Sequence, residues 1–365
     1  SMKGIKFYKD VDFKDTEVGR IPRGWEIEKL TDLADLERGK EVGSKNYNRK
    51  GEGVRFIRVV DLSGARDDMV FTTSKDVKTC RKDDILITLD GSVGIVRMGF
   101  EGAYSSGIRK VVIRDSGRVL RDFLFFALQG DFVQRIIKSY SRGTTIQHAG
   151  ESVKHIFIPL PPLEEQKAIA GVLKDFGDLI DIIDKQIEVL KRIKKGMMDF
   201  YFTRGVFGHK DFVYVEELGH EIPRGWDVKR LGEVVEIKNG KSDVKDAVPD
   251  GLYPFFDRSS VVKRSNKYLF DTEAVIIPGE GYKFMPKYYK GKFDLHQRAY
   301  ALFNFDISTY ALYVFYALQW DKIQNILIRR AVGFTALSLR KPIIQNLSIP
   351  LPPLSEQRAI AYRLK

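Results

Sequence analysis

The sequence predicts an α+β chain made of two copies of one module, joined by a long helix of coiled-coil type. The first observation behind this is self-similarity. IPRGWEIEKL (21–30) recurs as IPRGWDVKRL (222–231), and IPLPPLEEQKAIA (158–170) recurs as IPLPPLSEQRAIA (349–361). Between these anchors FALQGDFVQ (126–134) matches YALQWDKIQ (316–324), in the same order. A period near 200 residues is far too long for a solenoid and indicates a duplicated domain. The second observation is the stretch 164–202. Ile169, Leu173, Phe176, Ile180, Ile183, Ile187 and Leu190 recur at alternating steps of four and three. That is a 3.5-residue repeat, the seam of a coiled coil. Such a helix is roughly 58 Å long at 1.5 Å per residue and has to bury its seam against something. Gly177 weakens its middle by about 1 kcal/mol relative to alanine.

Each copy has the same plan. Pro and Gly of the IPRGW anchor make a turn, with Trp25 or Trp226 as a packing plug. The pattern then predicts a short helix (28–37; 229–235), followed by a Gly-Lys turn, Gly39-Lys40 or Gly240-Lys241. Strands follow at 54–62, 84–90 and 109–115, which are short, β-branched and bounded by turn residues. Their counterparts are 273–279 and 298–305. An aromatic-rich helix comes next, at 121–138 or 308–328. Leu160-Pro161-Pro162-Leu163 cannot be helical, because each proline disfavours α geometry before it. It closes one module and launches the long helix, with Glu164 and Glu165 at the positive end of the helix dipole. Leu351–Leu354 repeats this punctuation before EQRAIAYRLK.

Composition narrows the classes. Hydrophobic residues are 43% and charged residues 30%, which indicates a globular chain. No apolar run approaches the eighteen or so residues of a membrane span, and the N-terminus is not of signal-peptide type, so the cytoplasm is the expected location. Cys80 is the only cysteine, which excludes an internal disulfide and a thiolate-based structural zinc site. Five histidines are scattered, and His148 and His155 read as ordinary polar residues. High Lys and Glu with little Asn, Gln or Cys hints at a thermophile. A net charge of +12 and a pI near 9.4 favour a polyanionic partner, most often nucleic acid.

The candidate contacts are the glycine-rich basic loops. In the first copy Lys40 leads into SKNYNRKGEG, with Lys45, Tyr47, Asn48 and Arg49. DGSVG carries Ser92, AYSSGIRK carries Arg109, and SRGTTIQH carries Arg142, Thr144 and Thr145. In the second copy the equivalents bring Lys241, Arg258, Lys283, His296, Gln297, Arg298 and Arg330. Arg, Lys, Asn and Gln suit base edges; Ser, Thr and backbone N–H groups suit phosphates. Basic and aromatic residues interleave at 282–290, as on many nucleic-acid surfaces. Any one loop reads equally well as a solvated turn. What favours function is that matched positions are glycine-rich and basic in both copies while their sequences differ.

No enzymatic motif is complete in the sequence. NGKS (239–242) resembles the tail of a phosphate-binding loop, but Val235 stands where its first glycine belongs. Both Pro-Pro pairs are flanked by leucines, so neither is the Pro-Pro-aromatic tetrapeptide of a base methyltransferase. Asp227 with Glu236-Ile237-Lys238 is a faint nuclease-like pattern whose first-copy counterpart lacks the lysine. No Ser-His-Asp or Cys-His spacing stands out.

Two copies, each starting near an IPxxW anchor and ending in IPLPPLxEQxAIA before a long helix, resemble the specificity subunit of type I restriction–modification systems. The resemblance covers nearly the whole chain. It implies target-recognition domains at 1–163 and 205–354, a spacer helix at 164–204, and the start of a second helix at 355–365. Each domain would read one half of a bipartite DNA site, and the helix would set the spacing. Two methylation subunits and the restriction subunits would be the partners. S-adenosylmethionine, ATP and magnesium would be theirs, with no cofactor, metal or catalysis on this chain. Family members carry a second complete helix, whereas the segment here spans only about two to three turns. The seam is therefore expected to be open to self-association or to a helix of the methylation subunit. The sequence also admits two rival readings. One is the specificity subunit of a fused or two-component enzyme that cuts beside its site; the other is a helical scaffold that does not bind DNA.

Overall fold

The computed structural model describes residues 12–65, 68–143, 147–333 and 337–365. The chain divides into two compact units, 1–182 and 183–365. Each unit has its own hydrophobic core, and a single helix, Leu163–Arg204, supplies residues to both.

In the first unit one sheet runs in the order Val96–Arg97, Ile85–Thr88, Ile108–Ile113, Ala34–Arg38. A second sheet joins Val70–Thr72, Val54–Ile57, Gly102–Tyr104 and Thr79–Cys80. In the second unit the corresponding strands merge into one six-stranded sheet, because Phe270–Pro278 and Lys287–Leu295 each run nine residues without a break. The first unit interrupts both strands. Asp84 closes a turn by accepting from Arg81 N (2.8 Å), and Gly99 takes φ +87°. Positive φ is open to glycine at little cost.

Three sequence expectations need correction. Residues 28–37 and 229–235 are not single helices. Each is a strand (Glu26–Lys29; Asp227–Arg230), a four-residue helix (Leu30–Leu33; Leu231–Val234) and another strand (Ala34–Arg38; Glu236–Asn239). The period-2 alternation of Ala34-Asp-Leu-Glu-Arg38 decides this, since it registers residue for residue against Ile113–Arg109. Residues 54–62 are a strand only to Ile57. A short helix, Val59–Ser63, follows, with Asp61 accepting from Arg58 N (2.6 Å). The aromatic helices are pairs, Arg121–Gln129 with Asp131–Ser139 and Ala311–Gln319 with Asp321–Arg330. Gly130 and Trp320 both sit extended at the break, and an aspartate opens each second helix, where negative charge is favoured.

The repeated anchors turn out to be one locking device used twice. The indole of Trp25 donates to Glu165 (3.1 Å), and that of Trp226 donates to Glu356 (3.0 Å). The next residue clamps the loop before the paired helices. Gln166 accepts from Leu120 N (2.9 Å) and donates to Arg118 O and Pro161 O (2.9 Å each). Gln357 accepts from Tyr310 N (2.8 Å) and donates to Ser308 O and Pro352 O (2.8 and 2.7 Å). Both glutamines are buried with every amide function satisfied. This explains in physical terms why IPRGW and PLPPLxEQ occur together in each copy.

The ends of the long helix are anchored and its middle is bare. Ala170 lies in the first core; Met198 and Phe202 lie in the second. Phe202 stacks on Trp320 (5.3 Å between ring centroids), whose indole donates to Asp199 (2.6 Å). From Leu173 to Gly196 every residue is exposed. Leu173, Phe176, Ile180, Ile183, Ile187 and Leu190 are 41–63% exposed, and Ile169 packs at the edge of the first core. Helix Leu354–Leu364 buries Ile360, Ala361 and Leu364 in the second core.

Candidate nucleic-acid interface

In the first unit the turn after Leu89 brings Asp90 and Gly91 into a two-residue bridge with Gln147–His148. Asp90 is the hub of what gathers there. Arg109 donates to it (3.0 Å), His148 Nδ1 lies at 2.7 Å and the Arg38 guanidinium at 3.6 Å. Burial works against ionising Asp90, but the His148 and Arg109 hydrogen bonds together outweigh it and hold its carboxyl below the usual carboxylate range. These groups, with Tyr140, Arg142 and Glu151, line an open cleft of about 630 Å³.

The second unit builds the same corner from other residues. Glu280 and Gly281 bridge to Leu337–Ser338. Arg298 donates to Glu280 (2.7 Å), and the Arg258 guanidinium stands 3.7 Å from it. Asp243, Asp257, His296 and Gln297 complete a cleft of about 180 Å³. Asp294 fixes the loop beside it. This carboxylate is buried and accepts from Ser242 (2.8 Å) and Ser265 (3.0 Å).

The Gly-Lys turns have a steric basis. A methyl group on Gly39 would strike the Ser105 carbonyl, and one on Gly240 would strike that of Leu295. Only glycine lets these two loops lie against the turns that lead to Arg109 and Arg298.

The described residues among those singled out from sequence fall into three groups. Arg109 and Arg142 share the first cleft; Arg258, His296, Gln297 and Arg298 share the second. Several others are occupied in holding loops. Asn48 uses its amide on Glu52 O (2.8 Å), Phe71 O, Lys50 N and Glu52 N. Tyr47 donates to Glu41 (2.6 Å) and packs on Phe56. Lys40 pairs with Asp76, and Arg49 with Asp68 (3.0 Å). Arg330 donates to Asn346 O (3.2 Å). Lys45, Ser92, Lys241 and Lys283 are exposed, and none of the three lysines has an ion-pair partner among the described residues. Lys241 lines a separate polar hollow with Lys238 and Asn239. Thr144 and Thr145 lie outside the described residues.

Sequence reasoning missed Arg38, Asp90, His148 and Glu280. It ranked cations and passed over the acids that hold them. The signal that could have found them is an acid-Gly pair at the same place in both copies, DG at 90–91 and EG at 280–281.

Comparison with known proteins settles the family. The model of the type I restriction modification DNA specificity domain matches residues 22–192 and again 223–365. The MjaVIII type I restriction enzyme specificity subunit of Methanocaldococcus jannaschii is 32% identical, over 99% of this chain and 90% of that protein. The chain belongs to the type I restriction–modification specificity subunits. The putative MjaX specificity subunit of the same organism is 29% identical over 99% of this chain and 91% of its own length. The crystal structure of an S subunit from M. genitalium superposes with a TM-score of 0.63 at 18% identity, covering 93% of this chain and 89% of that one, and so shares the fold. As a specificity subunit the chain is the non-catalytic, DNA-recognising member of its complex. Among the described residues no helix is long and apolar enough to cross a membrane.

Proposed function

We propose that each domain of this specificity subunit reads one half of a bipartite duplex target, and that the Leu163–Arg204 helix sets the distance between the halves. The carrying observation is the matched pair of clefts. The same acid-anchored corner is built in both domains, with arginines in each and with different side chains around them. A shared frame with divergent contact residues is what two readers of different sequences need. The unbroken helix, about 63 Å long at 1.5 Å per residue, supports the spacing role.

Two methylation subunits dock on this chain and restriction subunits join them, in the cytoplasm of a prokaryotic cell. S-adenosylmethionine, ATP and magnesium belong to those partners. The bare seam from Leu173 to Leu190 is the surface offered to another helix, from a second copy or from a methylation subunit. The exposed lysines Lys45, Lys241 and Lys283 hold phosphates, which makes binding fall steeply with salt.

The test is to map methylated adenines in cells that express the complex with helices altered by one heptad. The expected result is a target whose spacer changes while both half-site sequences stay the same. Altered half-sites with an unchanged spacer would refute the ruler role. Absence of salt-sensitive binding to any duplex, with the methylation subunits present, would refute DNA reading itself.

A further inference from the structure

Superposing the backbone hydrogen bonds of the two domains gives a residue-by-residue equivalence around the clefts. Leu89 N bonds to Gly107 O where Gly279 N bonds to Arg298 O, and Ala149 N bonds to Leu89 O where Leu339 N bonds to Gly279 O. Asp90 therefore corresponds to Glu280, and Gly107 to Arg298. By the same reasoning Gly39 corresponds to Gly240, because each donates to the strand opposite, at Ile108 O and Ala299 O. Arg38 then corresponds to Asn239, and its cross-strand neighbour Arg109 corresponds to Tyr300. Ser105 N bonds to Ile57 O where His296 N bonds to Phe256 O, which equates Val59 with Arg258.

The arginines are thus exchanged among four positions. The first domain has Arg at 38 and 109, where the second has Asn239 and Tyr300. The second domain has Arg258 and Arg298, where the first has Val59 and Gly107. The guanidinium groups reach the corner from different strands and loops in the two domains, yet each domain keeps a carboxylate at the one position where they converge.

We propose that Asp90 and Glu280 are specificity-determining positioning residues: half-buried carboxylates that present exposed arginines, Arg38 in the first domain and Arg258 and Arg298 in the second, for the reading of base edges. The inference rests on the proposal that each domain reads a half-site.

The geometry fits this role. The carboxylates are shielded, with side chains 15% and 21% exposed, whereas Arg38, Arg258 and Arg298 are 63%, 71% and 63% exposed. A long exposed arginine samples many rotamers, and a fixed acid beside its guanidinium narrows them before DNA arrives. Arg109, at 11% exposure, is the inner strut of the first corner rather than a reader. A negative charge on a DNA-facing surface opposes the phosphates, so it weakens binding to all sequences alike. Its return is selectivity. An arginine already paired with a carboxylate gains little from a phosphate, but it can offer its remaining donors to guanine O6 and N7 in the fixed fork they require.

The test uses the assembled complex with its methylation subunits. Adenine methylation is measured on duplexes carrying the mapped target and every single-base variant of both half-sites. Glu280→Gln is expected to lower discrimination about tenfold at one or two positions of one half-site and to leave the other half-site unchanged. Asp90→Asn should do the same in the other half-site. The salt dependence of binding should keep its slope, because no phosphate contact is lost. Arg298→Lys, which keeps the charge and loses the fork, should reproduce the Glu280→Gln pattern. It gives the same readout should the Gln variant fail to assemble. Glu280→Asp should retain part of the discrimination. Unchanged discrimination at every position in Glu280→Gln and Arg298→Lys would overturn the inference. So would a uniform rise in affinity for all duplexes, which would reduce the acid to a repulsive charge. A wild-type complex without base preference would instead sink the half-site reading on which the inference rests.

Discussion

The indole N–H of Trp226 donates to the Glu356 carboxylate over 3.0 Å, across 130 residues of chain, and Glu356 is 1% exposed. The same carboxylate accepts from Val206 N (2.8 Å) and lies 2.9 Å from His209 Nε2. It therefore joins the end of the long helix, the opening turn of the second domain and the start of its last helix. Glu356→Ala leaves buried donors without an acceptor and should cost about 2–5 kcal/mol. Trp226→Phe removes one charge-assisted bond and should cost about 1.5–3 kcal/mol. Denaturant titration of the full chain, followed by tryptophan fluorescence, checks both. Equal stability of Glu356→Ala and wild type would show that the lock is ornamental.

The buried glutamines make a sharper comparison. Gln166→Ala or Gln357→Ala strands one N–H and two carbonyls, for an expected loss of about 2–4 kcal/mol. The near-isosteric Gln→Glu should be worse at neutral pH, because a carboxylate would face two carbonyl oxygens where the amide donates. Thermal melts of the four variants, ranked within each domain, decide it. A Glu variant more stable than its Ala partner would contradict the clamp.

Asp90 carries a pH prediction. Its folded-state pKa lies below the unfolded value, so it contributes stability above the unfolded pKa of about 4 and loses that contribution as pH falls through the folded one. The stability gap between wild type and Asp90→Asn should therefore be fully open at pH 7 and narrow below about pH 4. Urea midpoints for both proteins from pH 7 down to pH 3 measure it. A gap that widens on acidification would reverse the assigned sign.

The exposed loop lysines should act on affinity without regard to sequence. Replacing Lys45, Lys241 or Lys283 by alanine should lower the slope of log K against log salt by about 1 where the lysine meets a phosphate. Target and non-target duplexes should weaken together. A loss confined to the target sequence would make that lysine a base reader.

Gly240→Ala should displace the loop that ends at Ser242, because its methyl group has no room beside the Leu295 carbonyl. Weaker binding to the half-site read by the second domain, with that of the first domain retained, is the expected outcome in a methylation assay on half-site variants.

The duplication, the launch of the long helix after Pro162 and the seam were legible because repeats and periodicity survive in one dimension. The short strands of Glu26–Lys29 and Ala34–Arg38 were not. Each is only four or five residues long, too short for its alternation to be read alone, and pairing with Phe157–Leu160 and Ile108–Ile113 is what establishes them as strands. The loops were legible as basic, but their inner working was not. Asn48 looked like a base reader and proves to tie its own loop, a use that depends on where the chain turns after it. The Asp90 corner was out of reach for another reason. Arg38, Asp90, Arg109 and His148 are scattered over 110 residues and are united only by strand register.

The stretch from Leu173 to Gly196 has one more consequence. Packing supports each end of the helix, but along this stretch the described interactions are the backbone ladder, the local pair of Glu188 with Lys191 and, near its end, the ion pair of Lys195 with Asp321 (2.8 Å). Helical order there rests on intrinsic propensity and on the anchored ends, and Gly177 is the weakest residue near its middle. An opening there would leave the cores at both ends of the helix intact. A helix packed along the seam would supply the side-chain burial that this stretch lacks.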